Sequence, residues 1–237
     1  MKKLLMMLLV LTVAVSAYAD GLRVAAGAGY KNLVEDWANY YESKTGKKME
    51  RMYGNMGQVA AQVKLGGGIC AVIGEEGFLK TSGVNYASYT PIGKGILVLV
   101  TRKGLTITDP KDLVKPEFGK IAIPDTEKAI YGKAGLQLIN NLGIAAEISP
   151  RLIPAGTVPR SGSYALTGEA DAAFINITFA NKNKENFGTV LVIEKGYNPL
   201  DIAAAVLPDC VNNEDLKTFI GMLSTPEVKK IVKQNGL

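Results

Sequence analysis

The chain of 237 residues has no histidine, so it lacks both the commonest general base and the commonest transition-metal ligand. A Ser-His-Asp triad is impossible. It has only two cysteines, Cys70 and Cys210, too far apart in sequence for a CxxC metal or redox motif. They can pair in an oxidising compartment or lie buried as free thiols. Aromatic residues make up 7% of the chain, and the basic residues are scattered rather than massed, so a nucleic-acid footprint is not indicated. Long apolar runs are scarce too. The run Leu4 to Val15 is shorter than the roughly 20 residues of a spanning helix; it follows Met1-Lys2-Lys3 and leads to Ala17-Tyr18-Ala19. That is the pattern of a cleavable secretory signal over residues 1–19, and a protein released outside the cytoplasm is expected. The formal charge of +5 then falls to about +3 as Lys2 and Lys3 leave with the signal, too mild a balance to indicate a polyanionic partner.

What remains reads as strands alternating with helices. Leu22 to Ala26 is a short apolar strand, Gly27-Ala28-Gly29 a turn, and a helix follows in which Leu33, Trp37, Tyr40 and Tyr41 recur at helical spacing before Gly46 caps it. The unit then repeats. Met49 to Tyr53 is predicted as a strand, Gly54-Asn55-Met56-Gly57 as a turn, Gln58 to Leu65 as a helix, and Ile69 to Ile73 as a buried strand. Ile96 to Val100 is unbroken by polar residues, as a strand covered on both faces would be. After it come a strand at Ile121 to Ile123, a helix near Lys133 to Leu142, a short helix at Ser161 to Thr167, and strands at Ala172 to Ile175, Val190 to Ile193 and Ile202 to Leu207. A helical pair closes the chain, with Pro226 near the start of the second helix. Alternation of this kind predicts an α/β fold of mostly parallel sheets flanked by helices. The restart after Val100 predicts two lobes, residues 20–100 plus 195–237 and residues 101–194, with a ligand cleft between them.

In such sheets ligands sit where helix N-termini converge at the carboxyl ends of strands, and those N-termini attract small anions. Gly29, Tyr30 and Lys31 open one helix. The six residues Gly27-Ala28-Gly29-Tyr30-Lys31-Asn32 lack the third glycine of a dinucleotide-binding fingerprint. Asn55 and Met56 open another, where the Asn55 amide can meet a ligand or cap its own helix. Arg160, with Ser161 and Ser163, stands ahead of a third, a chemistry suited to a carboxylate, phosphate or sulfate. Glu75-Glu76 follows a strand; the pair can serve acid–base chemistry, hold a cation or simply be solvated. A carboxylate entering the cleft would repel an oxyanion.

The order of these stretches resembles the periplasmic molybdate-binding proteins that serve ATP-driven importers. Ala26-Gly27-Ala28-Gly29-Tyr30-Lys31-Asn32-Leu33 is similar to that family's first helix start, and Gly54-Asn55-Met56-Gly57-Gln58 to its Gly-Ser-Ser-Gly start. Lys44-Thr45-Gly46, Ile123-Pro124-Asp125-Thr126, Tyr131-Gly132-Lys133-Ala134 and Thr167-Gly168-Glu169-Ala170-Asp171 fit as well. The resemblance implies the type II periplasmic-binding-protein fold. It also implies capture of a molybdate- or tungstate-like oxyanion, or of another small anion such as sulfate, phosphate or an organic acid, for an ABC permease and its ATPase. A surface antigen or receptor of the same fold without a transporter is the other reading.

The family's two serine hydroxyls fall at Gly29 and at Asn55 or Met56, and its cleft tyrosine at Asn176. Its backbone donors fall at Tyr131 and Val158, with Pro159 lacking an N–H. The expected ligand set is thus Gly29, Tyr30, Asn55, Met56, Tyr131, Val158, Arg160 and Asn176. No cofactor, no direct protein–cation site, no nucleic-acid partner and no enzymatic activity is expected, and the protein is expected to be a periplasmic monomer. An exported enzyme built on Glu75, Glu76 or Cys70 is the contrary hypothesis.

Overall fold

A computed structural model describes residues 21–237; the expected signal, residues 1–19, lies outside the described residues. The chain opens with strand β1 (Leu22–Gly27), a tight 3₁₀ turn at Ala28–Tyr30 and helix α1 (Lys31–Thr45). Gly46, at φ 69°, ends α1 in the left-handed conformation that glycine adopts without Cβ penalty. Strand β2 (Met49–Gly54) leads into helix α2 (Met56–Lys64) through a reciprocal cap: Gln58 N–H donates to the Asn55 side chain, and Asn55 N–H to the Gln58 side chain. Strand β3 (Ala71–Glu75), helix α3 (Glu76–Thr81) and strand β4 (Ser88–Gly95) follow.

The chain then enters the second lobe with β5 (Leu97–Thr101), β6 (Ile121–Ile123), α4 (Ile130–Asn141), α5 (Ala145–Ile148), β7 (Leu152–Pro154), α6 (Val158–Thr167), β8 (Ala172–Asn176), α7 (Ile177–Asn183) and β9 (Val190–Ile193). It returns through β10 (Leu200–Val206) and ends in α8 (Glu214–Gly221) and α9 (Pro226–Gln234). Pro226 opens α9 where its missing N–H costs nothing, behind the Thr225 cap.

Two five-stranded sheets result, ordered β2-β1-β3-β10-β4 and β7-β6-β8-β5-β9. The sheets are mixed, which corrects the expectation of mostly parallel ones. In the first, β1 pairs parallel with β2 and β3, whereas β10 runs antiparallel to β3 and β4. In the second, β6 pairs parallel with β7 and β8, and β5 antiparallel with β8 and β9. The reversed strands β10 and β5 are the ones that follow a lobe crossing. Strand β5, assigned by its sequence to the first lobe, sits in the second sheet, so the crossing falls at Gly95–Leu97 and not after Val100. Its residues 97–101 are fully buried between helices, which explains the absence of a period-two pattern.

The first lobe buries Trp37 of α1, stacked on Phe219 of α8 at 3.8 Å between ring centroids, with Tyr41 edge-on to Phe219 at 5.9 Å. Cys70 and Cys210 form a disulfide that staples the end of the β3–β10 pairing, beside the Leu207 N–H to Cys70 carbonyl bond of 2.9 Å. The bond spans a sequence separation of 140, a loop that holds the entire second lobe. Closing so long a loop removes much unfolded-chain entropy. Replacing both cysteines by serine is therefore expected to cost about 2–5 kcal/mol, read as a lowered urea midpoint; reductant should produce the same fall in the parent protein and none in the variant.

Candidate functional site

Between the lobes lies a small cavity lined by Gly27, Ala28, Gly29, Tyr30, Gly54 and Asn55, continuing through Met56, Ala129, Ile130, Tyr131, Thr157 and Val158. The centre of a water-sized sphere can roam about 20 Å³ of it, room for one or two waters. Four helical segments begin on this cavity: the turn at Ala28–Tyr30 that runs into α1, and helices α2, α4 and α6. The backbone N–H groups of Met56, Ile130, Tyr131 and Val158 precede the first intrahelical acceptors, and none has a protein acceptor among the described residues. No lysine, arginine, aspartate or glutamate lines the cavity. Its polarity comes from oriented peptide dipoles. An anion at one helix start gains about 0.3–1 kcal/mol when exposed and up to about 2 kcal/mol when partly buried.

Among the described residues, four hydrogen bonds cross between the lobes around this cavity. Gly57 N–H donates to the Lys128 carbonyl at 3.1 Å. Asn55 Nδ2 donates to the Gly156 carbonyl at 3.4 Å, and Asn176 Nδ2 to the Gly29 carbonyl at 2.9 Å. The hydroxyls of Tyr30 and Tyr131 lie 3.0 Å apart, both buried. Burial pushes the Tyr30 hydroxyl well above the usual tyrosine value, and its Tyr131 partner and the Glu75 carboxylate push it the same way. Burial raises Tyr131 too, against an opposing pull from its hydrogen bonds to Tyr30 and Asn176. Both hydroxyls stay neutral at physiological pH and keep their protons for hydrogen bonding.

Six of the eight residues expected from the sequence, Gly29, Tyr30, Asn55, Met56, Tyr131 and Val158, line the cavity together. Asn176 does not line it. Fully buried, it caps α7 by accepting the Phe179 N–H at 3.0 Å and bridges to the first lobe through its amide nitrogen. Arg160 does not line the cavity either: it is exposed, its Nε donates to the Tyr164 hydroxyl at 2.9 Å one turn along α6, and its guanidinium lies over that ring. Ser161 is spent inside the lobe, donating to the Phe174 carbonyl at 2.8 Å.

Nor does the Glu75-Glu76 pair enter the cavity. Glu75 caps α3 by accepting the N–H groups of Gly77 at 2.8 Å and Phe78 at 2.6 Å, and Glu76 pairs with Lys80 at 2.5 Å. The anticipated repulsion of an oxyanion is thereby moderated. Ala129, Ile130 and Thr157 are lining residues that sequence reasoning missed; the predicted starts of α4 and α6, near Lys133 and at Ser161, lie three residues too late. Thr157-Val158-Pro159, a cap residue followed by proline at the second helical position, is the signal that could have found the true start of α6.

The family profile described as bacterial extracellular solute-binding protein matches residues 22–237. Among curated relatives, a molybdate-binding protein of Rhodobacter capsulatus is 23% identical over 233 residues, covering 96% of this chain and 92% of that protein. Among solved structures, the periplasmic molybdate-binding protein of Azotobacter vinelandii superposes with a TM-score of 0.81 at 22% identity, over 91% of this chain and 97% of that one. The sulfate-binding protein SubI of Mycobacterium tuberculosis does so with a TM-score of 0.71 at 15% identity, over 91% and 85%. The fold is that of the type II periplasmic binding proteins.

Two predictions follow from the closed geometry. A Cβ on Gly29 would stand 2.9 Å from Asn176 Nδ2 and 3.4 Å from Val158 Cβ, so Gly29→Ala should hold the lobes apart. An overpacking strain of about 1.4 kcal/mol corresponds to roughly tenfold weaker ligand binding; calorimetry with small-angle scattering checks both the affinity and the reduced compaction. Because Tyr30 and Tyr131 titrate higher in the folded protein than in the unfolded chain, their stabilisation is complete below about pH 10, the unfolded tyrosine value. It is lost as pH climbs above that. Melting temperatures of the parent should be flat from these two groups between about pH 6 and 9 and fall above about pH 10, and the double change Tyr30→Phe/Tyr131→Phe should make that alkaline fall shallower.

On the match over residues 22–237, the chain belongs to the bacterial extracellular solute-binding protein family.

Proposed function

We propose that this protein captures a small tetrahedral oxyanion between its lobes in the periplasm and delivers it to the permease and ATPase of an ABC importer. Molybdate and tungstate are the ligands this reading names first. The observation that carries it is the cavity itself: four helix starts meet around a space of about 20 Å³ with no charged side chain in its lining. A cation would meet the positive ends of the helices and find no carboxylate. A bulky organic solute would not fit within it. A compact anion finds N–H donors at Met56, Ile130, Tyr131 and Val158, the Asn55 amide beside them, and Gly29 allowing close approach of the turn. Closure around the anion excludes water and strengthens each contact.

The names of the relatives point the same way, since molybdate and sulfate are both tetrahedral oxyanions. By the resemblance the two serine positions fall at Gly29 and at Asn55 or Met56, so peptide and amide N–H groups would carry what hydroxyls would otherwise supply. Donors without acceptors suit a fully deprotonated oxyanion.

A thermal-shift and calorimetry panel of molybdate, tungstate, sulfate, phosphate and small carboxylates tests the proposal. A ligand at 1,000 times its Kd adds about 4 kcal/mol, a rise of roughly 8–16 °C for a protein of this size. No shift with any oxyanion would sink the reading; a shift with sulfate alone would keep the capture and replace the ligand.

A further inference from the structure

Next to the oxyanion cavity, on the cleft side bounded by α3 and α4, runs a groove of about 370 Å³. Glu75 and Phe78 of the first lobe form one wall; Lys133 and Gln137 of α4 form the other, and Asn198–Leu200 close one end. Ile130 lines both this groove and the oxyanion cavity, so the two spaces share a lining residue in the first turn of α4.

The groove carries one positive charge, that of Lys133, and one negative charge, that of Glu75 on the opposite wall. Lys133 forms no ion pair among the described residues; its ammonium lies 5.4 Å from the centroid of the Phe78 ring, across the lobes, and Asp125 senses it only at longer range. The Glu75 carboxylate facing the groove is already engaged by the N–H groups of Gly77 and Phe78. Gln137 and Asn198 tie to each other by two hydrogen bonds of 3.0 and 2.7 Å, which holds that end of the groove in shape. Lys133 is exposed and therefore free to swing onto a ligand.

We infer that the cleft has a second subsite, centred on Lys133, for a carboxylate joined to the bound oxyanion by a short carbon tail. Ile130 and Lys133 are three residues apart on one helix, a spacing that sets their Cβ atoms about 5–6 Å apart. A tail of two or three carbons spans that distance, with its methylene against Phe78. The inference rests on the oxyanion reading and concerns only what the oxyanion is attached to: the cleft admits phospho- or phosphono-carboxylic acids as well as bare tetrahedral anions.

Calorimetry with inorganic phosphate, methyl phosphate, 2-phosphoglycolate and phosphonoacetate on the intact protein tests it. The two acids should bind at least tenfold tighter than phosphate, and methyl phosphate, which has a tail but no carboxylate, should show no such gain. Lys133→Ala should abolish the gain and leave phosphate within twofold, Lys133→Arg should keep it, and the ligand-free melting temperature should be unchanged in both. The subsite is overturned if phosphoglycolate binds no tighter than phosphate, if Lys133→Ala leaves the gain intact, or if that change weakens both ligands equally. Binding of molybdate without phosphoglycolate overturns the subsite alone; absence of binding by every oxyanion removes the oxyanion reading and the subsite with it.

Discussion

Peptide N–H groups at a helix start have no acceptor within their own helix, and the closed form gathers four such starts around one cavity. Much else in the structure serves that convergence. The parallel strands of each sheet bring their carboxyl ends to the cleft, and the short turns after β1 and β2 drop the chain into the next helix without an intervening loop. Caps are arranged so that they do not consume every donor. Asn55 takes the Gln58 N–H and leaves that of Met56 to the cavity, and Thr157 takes the Arg160 N–H and leaves that of Val158.

A site built from neutral dipoles has a different character from one built on arginine or lysine. Its field is fixed by backbone geometry, so no side chain must be ordered or desolvated as a charge when the lobes shut. The price is shape: four helix starts must arrive within a few ångströms of one point, and glycine is needed where the backbone comes closest. Gly29 meets Asn176 and Val158 from the other lobe, and Gly57 meets Lys128. The buried Tyr30–Tyr131 pair adds a polar contact across the cleft that carries no charge.

Much of this was legible in the sequence. Apolar runs and glycine turns located nearly every strand of the two sheets, and the glycine and asparagine turns after β1 and β2 marked two of the four helix starts. What was not legible has physical causes. Strand direction leaves no trace in a run of buried residues, so β5 and β10 could not be recognised as reversed, nor β5 moved to the second lobe. β4, with exposed residues interspersed, and the three-residue β7 offered too little periodicity to register. Arg160 looked like an anion ligand because arginine beside serines has that chemistry, but which way its side chain turns depends on Tyr164, four residues later on the same helix face. Asn176, placed near the cleft by resemblance, bridges the lobes there, its amide shared between the α7 cap and the Gly29 carbonyl.

The register of β4 and β10 pairs Gly95 with Leu200, and that of β5 and β9 pairs Leu97 with Ile193. The chain thus leaves the first sheet and re-enters it at adjacent points, and does the same in the second. Each lobe is, in architectural terms, an insertion at the tip of a hairpin belonging to the other. A short turn could join Gly95 to Leu200 without moving either strand, and another could join Ile193 to Leu97 in a permuted order. The fold is therefore modular at two seams, and a lineage could exchange one lobe for a relative's and change half of the cleft while the other half kept its sheet, its core and its disulfide.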